Sequence, residues 1–157
     1  MVEAARILIV DDDENIRKVL KAILTDEGYA VESVGTAKEG IVKTEKSYYN
    51  LALIDVRLPD MEGVELLSKM RETKPKMRKI IITGYPTLQN AVSAVNEGAD
   101  AYVIKPFDVE KILETIREQL KKQKEERSYS EEKIAEFIET RIKELDALYQ
   151  SAVEKSV

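Results

Sequence analysis

The feature that most constrains the fold is the alternation of short apolar runs with longer amphipathic segments along most of the chain. Short all-apolar runs are typical of strands buried on both faces, and apolar residues at spacings of three and four are typical of helices. The pattern predicts strands over residues 6–10, 30–34, 50–54, 79–83 and 101–104. It predicts helices over residues 14–27, 36–46, 62–73, 87–97 and from 108 onward. Such alternation predicts an α/β fold in which right-handed crossovers place helices on both faces of a parallel sheet.

The composition narrows the function classes. The chain has 157 residues, 43% of them apolar, which suffices for one domain with its own core and an appendage. Its net charge of −5 argues against nucleic-acid binding through broad attraction, and no apolar run approaches the length of a membrane span. The absence of cysteine and histidine excludes disulfides, zinc sites, histidine-based nucleophilic triads and a phosphohistidine on this chain. We therefore expect a cytoplasmic protein with neither a membrane nor nucleic acid as a direct partner.

Chemically capable side chains stand where the predicted strands end. They are Asp11, Asp12 and Asp13 after the first strand, Asp55 after the third, Thr83 at the end of the fourth, and Lys105 after the fifth. Because ligands of open α/β sheets bind in the crevice at the carboxyl ends of the strands, we expect these side chains to lie close together. The strongest signal is residues 51–63, where an apolar run ends in Asp55 and a loop built on proline and glycine follows.

The predicted cluster of carboxylates indicates a cation. Asp11, Asp12 and Asp55 carry like charges, which is costly unless a cation compensates them. Hard oxygen ligands without histidine or cysteine suit Mg²⁺. A carboxylate held against Mg²⁺ is a competent nucleophile toward phosphorus, giving an aspartyl phosphate. Lys105 would neutralise the charge of the transferred phosphoryl group, and Thr83 would supply a hydroxyl donor.

Four motifs in this order resemble those of a known family. They are ILIVDDD at residues 7–13, IDVRLPDMEG at 54–63, IITGY at 81–85 and ADAYVIKPF at 99–107. The chain resembles the receiver domain of two-component response regulators over about residues 4–122. The resemblance implies a doubly wound, flavodoxin-like sheet of five parallel strands in the order 2-1-3-4-5.

The resemblance also implies roles for the residues of the predicted crevice. Asp55 would be the phosphoacceptor. Asp12, Asp55 and the backbone carbonyl of Arg57 would ligate Mg²⁺, and Asp11 would orient a metal-bound water. Thr83 and Lys105 would bind the phosphoryl oxygens.

Three further residues have roles by resemblance alone. Tyr102 would be the switch aromatic, which turns inward when Thr83 moves. Arg57 and Tyr85 would line the path of the hydrolytic water, and two bulky side chains there suggest slow autodephosphorylation. The peptide bond between Lys105 and the proline after it would be cis. The chain departs from the usual family pattern in two small ways: Glu62 stands in place of aspartate, and Gly84 in place of a common alanine.

By the same resemblance the chain is a signalling protein and not an enzyme in its own right. It would take its phosphoryl group from a phosphohistidine on a histidine kinase or phosphotransfer protein and then switch protein–protein contacts. One alternative is a receiver-plus-linker fragment of a larger transcription activator. Another is a phosphatase with an aspartyl-phosphate intermediate, which resembles the haloacid dehalogenases but has Asn15 where they have threonine. Each of these features, taken alone, has a simpler interpretation. Residues 11–13 could be a solvated acidic turn, and Lys105 could belong to an ordinary strand end. Thr83 could be a helix cap, and Tyr102 could be an ordinary core or surface aromatic.

The tail begins at the one break in composition. Residues 121–127 are wholly polar, which predicts a receiver domain over 1–122 and a helical extension over 123–157. Ser128 and Ser130 are candidate caps for a separate last helix, with Glu131 completing a capping box.

The predicted last helix, over about residues 128–153, carries a broad apolar stripe. The stripe consists of Ile134, Phe137, Ile138, Ile142, Leu145, Leu148 and Tyr149. A seam with spacings of three and four, as in coiled coils, consists of Ala135, Ile138, Ile142, Leu145, Tyr149 and Ala152. Leaving such a stripe in water is unfavourable, so the sequence predicts a homodimer through this helix, with folding back onto the receiver as the alternative.

Overall fold

The computed structural model describes residues 3–84 and 86–155, in which strands and helices alternate as predicted. The strands are β1 (Arg6–Val10), β2 (Ala30–Val34), β3 (Leu51–Asp55), β4 (Arg78–Thr83) and β5 (Ala101–Ile104). The helices are α1 (Glu14–Asp26), α2 (Ala37–Lys46), α3 (Gly63–Lys69), α4 (Leu88–Asn96) and α5 (Val109–Lys155). Most bounds lie within one residue of the prediction, because apolar runs and caps mark them locally.

The five strands form one parallel sheet in the order β2-β1-β3-β4-β5. This confirms the strand order that the family resemblance implies. In this register Val10 pairs with Ile54 and Ile82 pairs with Asp55. The carboxyl ends of β1, β3 and β4 therefore lie side by side, and the loops that follow them meet at one edge.

The sheet has a hydrophobic core on each face. On one face Leu8 and Val10 pack with residues of α2, α3 and α4. On the other face Ile7 and Ile9 pack with residues of α1 and α5. Each large side chain that is fully buried contributes roughly 1.5–3 kcal/mol relative to exposure. The central strands are buried on both faces, which is the reason that they read as continuous apolar runs.

The helix starts follow the expected capping chemistry. The Thr36 hydroxyl accepts a hydrogen bond from the backbone N–H of Glu39, and the Asp108 carboxylate accepts one from the backbone N–H of Glu110. The Asp13 carboxylate caps α1 by accepting hydrogen bonds from the backbone N–H groups of Asn15 and Ile16. Each cap satisfies N–H groups that a helix leaves unpaired.

Helix α3 is shorter than predicted: it ends at Lys69 and not near residue 73. Beyond it, the Thr73 hydroxyl donates to the carbonyl of Pro75 and accepts from the N–H of Met77. The proline disfavours helical backbone in the residue before it, and this side-chain network organises the turn instead.

The prediction of a separate tail helix with caps at Ser128 and Ser130 is wrong, because α5 runs without interruption from Val109 to Lys155. The segment contains no glycine or proline and is rich in strong helix formers. Ion pairs between residues four apart cross the expected boundary, as in Arg127 with Glu131. A serine caps a helix only where the chain leaves helical geometry, and nothing here makes it leave.

The chain divides into two compact units, one up to Gln123 and one from Lys124 onward. In the first unit, the Gln123 amide donates to the carbonyls of Asn50 and Lys76, so the end of this unit's helix is tied to the start of β3 and the segment before β4. In the second unit, the apolar stripe of the helix is exposed. In the described residues, no helix has the length and apolarity needed to span a bilayer.

Helix α4 buries little of its apolar surface. Leu88, Val92 and Val95 are exposed, whereas Ala94 is fully buried. Ile104 on β5 is also exposed. These side chains leave apolar surface on the first unit.

Candidate functional site

The loop after β1 holds one carboxylate inside and leaves the next one outside. Asp11 is 3% exposed, and its carboxylate accepts a hydrogen bond from the backbone N–H of Asp13 at 2.9 Å. Its backbone N–H donates to the carbonyl of Val34, and its carbonyl accepts from the Arg17 guanidinium at 2.6 Å. Asp12 is exposed. The main chain of this loop is thus tied to α1 and β2, which orients both carboxylates.

Three carboxylates converge at the sheet edge. Asp55, the last residue of β3, is 9% exposed. One carboxylate oxygen from each of Asp11, Asp12 and Asp55 lies within 4.8 Å of the other two. Oxygen atoms at this spacing suit a hard divalent cation such as Mg²⁺.

Lys105 supplies the positive charge of the cluster. Its ammonium Nζ lies 3.5 Å from Asp11 Oδ2 and 3.5 Å from Asp55 Oδ1. Its backbone N–H donates to the carbonyl of Thr83 at 2.7 Å, which fixes the start of the loop after β5. The Lys105–Pro106 bond is cis, as predicted. Three carboxylates with one ammonium leave two negative charges, the charge that one divalent cation balances.

The pKa of the Asp55 carboxyl also indicates a cation site. Burial raises the pKa of the Asp55 carboxyl, and the Asp11 carboxylate raises it further. The Lys105 ammonium and a hydrogen bond from the Arg57 backbone lower this pKa, but the balance stays above the usual value. Without a cation the site therefore disfavours ionised Asp55, and a bound cation would reverse that preference.

Thr83 and Tyr102 lie on neighbouring strands, β4 and β5. Thr83 ends β4 and is 1% exposed. Tyr102 is partly buried and packs against the core beneath the sheet edge, and its hydroxyl is buried without a hydrogen-bond partner in the described part of the chain. Tyr85, to which the resemblance gives a role beside Arg57, lies outside the described residues.

The loop after Asp55 depends on a glycine. The backbone N–H of Gly63 donates to the carbonyl of Val56 at 2.7 Å. A Cβ atom at Gly63 would lie 2.1 Å from the backbone oxygen of Asp55, far inside van der Waals contact. Sequence reasoning placed Gly63 in a motif but missed this contact, since nothing local marks it. The close approach allows the loop to turn back directly beneath the candidate phosphoacceptor.

Sequence reasoning also missed Asp60. Its carboxylate accepts hydrogen bonds from the backbone N–H groups of Ala37 and Lys38, at 2.9 and 3.0 Å. These bonds lower the pKa of the Asp60 carboxyl. Asp60 therefore ties the loop that follows the candidate phosphoacceptor to the start of α2, a pairing between segments that are distant in sequence.

We expect the Asp60→Asn variant to be less stable than the wild type at neutral pH but not in acid. The folded-state pKa of Asp60 is depressed, so its stabilisation is present above the unfolded value of about 3.9 and is lost as the pH falls through the folded value. Thermal unfolding of both proteins from pH 7 to pH 3 measures this. The difference in Tm should shrink as the pH falls, and a difference that is constant with pH would contradict the prediction.

A family model described as the response regulator receiver domain matches residues 7–117. The chain belongs to the response regulator receiver family. The resemblance drawn from the four motifs is thereby confirmed, and so is the fold that it implies.

Curated relatives of this chain are longer regulators. The chain is 37% identical over 120 residues to the uncharacterised transcriptional regulatory protein YkoG of Bacillus subtilis, covering 76% of this chain and 53% of that protein. It is 36% identical over 118 residues to the response regulator ArlR of Staphylococcus aureus, covering 75% of this chain and 53% of ArlR. The chain thus spans about half the length of these relatives.

Solved structures agree on the receiver fold. A CheY-like receiver domain protein of Methanospirillum hungatei is 51% identical, with a TM-score of 0.75, over 78% of this chain and 98% of that one. The receiver domain of a LuxO repressor protein of Vibrio parahaemolyticus is 28% identical, with a TM-score of 0.73, over 78% and 95%. The BeF₃-activated receiver domain of DrrB is 29% identical, with a TM-score of 0.68, over 75% and 98%.

Proposed function

We propose that this receiver accepts a phosphoryl group on Asp55 from a phosphohistidine of a histidine kinase or phosphotransfer protein. The observation that carries the proposal is the convergence of three carboxylates within 4.8 Å beside the Lys105 ammonium. A metal-binding acidic cluster at a strand end, with a cation aimed at the same carboxylate, is what phosphoryl transfer to a carboxylate requires.

In the proposed reaction, one Asp55 oxygen attacks phosphorus as the bond from phosphorus to the donor's imidazole nitrogen breaks, and that nitrogen takes up a proton. Asp12, Asp55 and the Arg57 carbonyl would hold Mg²⁺, with Asp11 reaching it through water. Bound there, the ion supplies charge neutralisation for the phosphoryl oxygens. Lys105 supplies the second positive charge, and Thr83 supplies a hydroxyl donor.

The proposed output is a change in protein–protein contacts. Tyr102 supports this, since its buried hydroxyl has no hydrogen-bond partner among the described residues. Leaving such a group unpaired costs about 1–3 kcal/mol, so a second position of the ring that pairs the hydroxyl would be favoured. Movement of Thr83 toward a phosphoryl group would free space for that ring. The exposed Leu88, Val92 and Ile104 offer apolar surface on neighbouring elements for a partner to contact.

The test is phosphorylation by a small-molecule donor. Wild-type protein with acetyl phosphate and Mg²⁺ is expected to gain the mass of one phosphoryl group by intact mass spectrometry, and none when EDTA replaces Mg²⁺. Absence of the gain with Mg²⁺ would overturn the proposal. Sustained turnover of a phosphate ester by the chain alone would instead favour the phosphatase alternative.

Asp12→Ala is expected to weaken Mg²⁺ binding by about 1–3 kcal/mol, the cost of losing a charged partner, which is roughly five- to 150-fold in Kd. Isothermal titration calorimetry measures it. Asp26→Ala is the control, because Asp26 is exposed at the end of α1 and outside the acidic cluster. Equal affinity of Asp12→Ala and wild type would exclude Asp12 as a ligand.

The remaining assignments are part of the same proposal. The receiver would occupy residues 1–122 and the helical extension 123–157, in a cytoplasmic protein. The phosphorylated form would lose its phosphoryl group slowly, because of the side chains at Arg57 and Tyr85. The name of one longer relative, the transcriptional regulatory protein YkoG, supports a role in transcriptional regulation for a protein that contains this receiver.

A further inference from the structure

The second unit presents an apolar stripe that its own helix does not cover. The large side chains of the stripe are between 50% and 71% exposed: Ile134, Phe137, Ile138, Ile142, Leu145, Leu148 and Tyr149. Exposed apolar stripes of this length mark interaction surfaces. The charged residues that flank this stripe indicate which partner binds it.

The seam residues define heptad positions. With Ile142 at a and Leu145 at d, the positions that flank the seam are e and g. Arg141 then lies at g, and Glu139 and Asp146 lie at e. The remaining flanking positions are apolar: Ile134 and Leu148 at g, and Val153 at e.

These flanking residues are self-complementary in one orientation only. In a parallel, in-register pair, each g position faces the e position of the partner's following heptad, so Arg141 faces the partner's Asp146. The two-fold axis produces this ion pair twice, and it brings Leu148 against the partner's Val153. In an antiparallel pair, e flanks e and g flanks g, so Glu139 would face the partner's Asp146, which is repulsive.

We propose that residues 134–153 form a parallel, in-register, two-stranded coiled coil with a second copy of this chain. The occupant is a second copy because the flanking charges complement themselves across a two-fold axis. The inference specifies the orientation and register of the dimer. It does not rest on the proposed phosphotransfer, because it is tested without Mg²⁺ or a phosphodonor.

Disulfide trapping in the full chain tests the orientation. The chain has no cysteine, so an Ala152→Cys variant carries one thiol, at a d position of the seam. In the parallel pair the two introduced thiols lie side by side, and oxidation should crosslink them on the order of tenfold faster than random collision. Ala147→Cys is the matched control, since it lies in the same helix at the outward f position. Equal crosslinking of the two variants, or none at position 152, would overturn the proposal.

A charge exchange gives a second, independent test. Arg141→Glu should weaken the dimer by about three- to thirtyfold in sedimentation equilibrium, since two surface ion pairs are replaced by two repulsions. Adding Asp146→Arg to that variant should restore the wild-type Kd. Lys133→Glu, the same charge change on the outer face, should leave Kd unchanged. A wild-type chain that stays monomeric up to hundreds of micromolar would show that the stripe does not pack against a second copy of the chain, and it would refute the proposal.

Discussion

Asp55→Asn is expected to abolish phosphorylation by acetyl phosphate, from one phosphoryl group per chain to none. An amide does not attack phosphorus, and no other carboxylate among the described residues combines the end of a central strand with both the acidic pair and Lys105. Intact mass spectrometry measures the labelling. Asp13→Asn is the matched control, because Asp13 lies in the same acidic run but caps α1, and asparagine caps helices equally well.

The Asp55→Asn variant should also be folded, which separates a lost nucleophile from a lost structure. Burial and Asp11 raise the pKa of Asp55, so the folded protein binds this proton more tightly than the unfolded chain does. The stability of the metal-free protein therefore falls as the pH rises through this raised pKa. Replacing the carboxylate with a neutral amide should raise Tm in EDTA at neutral pH. Labelling of this variant to the wild-type extent would show that Asp55 is not the acceptor.

Gly63→Ala is expected to destabilise the protein by roughly 3 kcal/mol, the upper end of the range for overpacking. The added Cβ would lie 2.1 Å from the backbone oxygen of Asp55, and backbone in a central strand cannot rotate away as a side chain can. Urea unfolding measures the loss. Labelling of the folded fraction should fall as well, because relief of the clash displaces the candidate phosphoacceptor.

Gly84→Ala is the control for that substitution. Within the described part of the chain, a Cβ atom at Gly84 would meet only the Lys105 Cβ, at 3.9 Å, which is ordinary contact. Its free energy of unfolding should stay within about 0.5 kcal/mol of the wild type. If Gly63→Ala were equally mild, the loop could turn without the close approach, and Gly63 would not be needed there for space.

Local sequence signals were enough to predict the strands, the helices and the side chains of the candidate site. The apolar run in Leu51–Asp55 marks a strand because both of its faces are buried. Caps such as Thr36 mark helix starts because the hydroxyl bonds to an N–H three residues later. Asp11, Asp55 and Lys105 were found together because each stands at the carboxyl end of a strand and parallel strands end at a common edge. The strand order came from the family motifs and not from local pattern.

The sequence by itself determined which residues form strands and helices and which side chains meet at the sheet edge, since these follow from periodicity and from the geometry of parallel sheets. Only the tertiary structure decided the contacts that join distant segments. Asp60 caps a helix that starts more than twenty residues earlier, and Gly63 is required by a backbone oxygen that no local pattern reveals. At Ser128 a local capping signal was overridden, because an uninterrupted helix leaves a cap no unpaired N–H to satisfy.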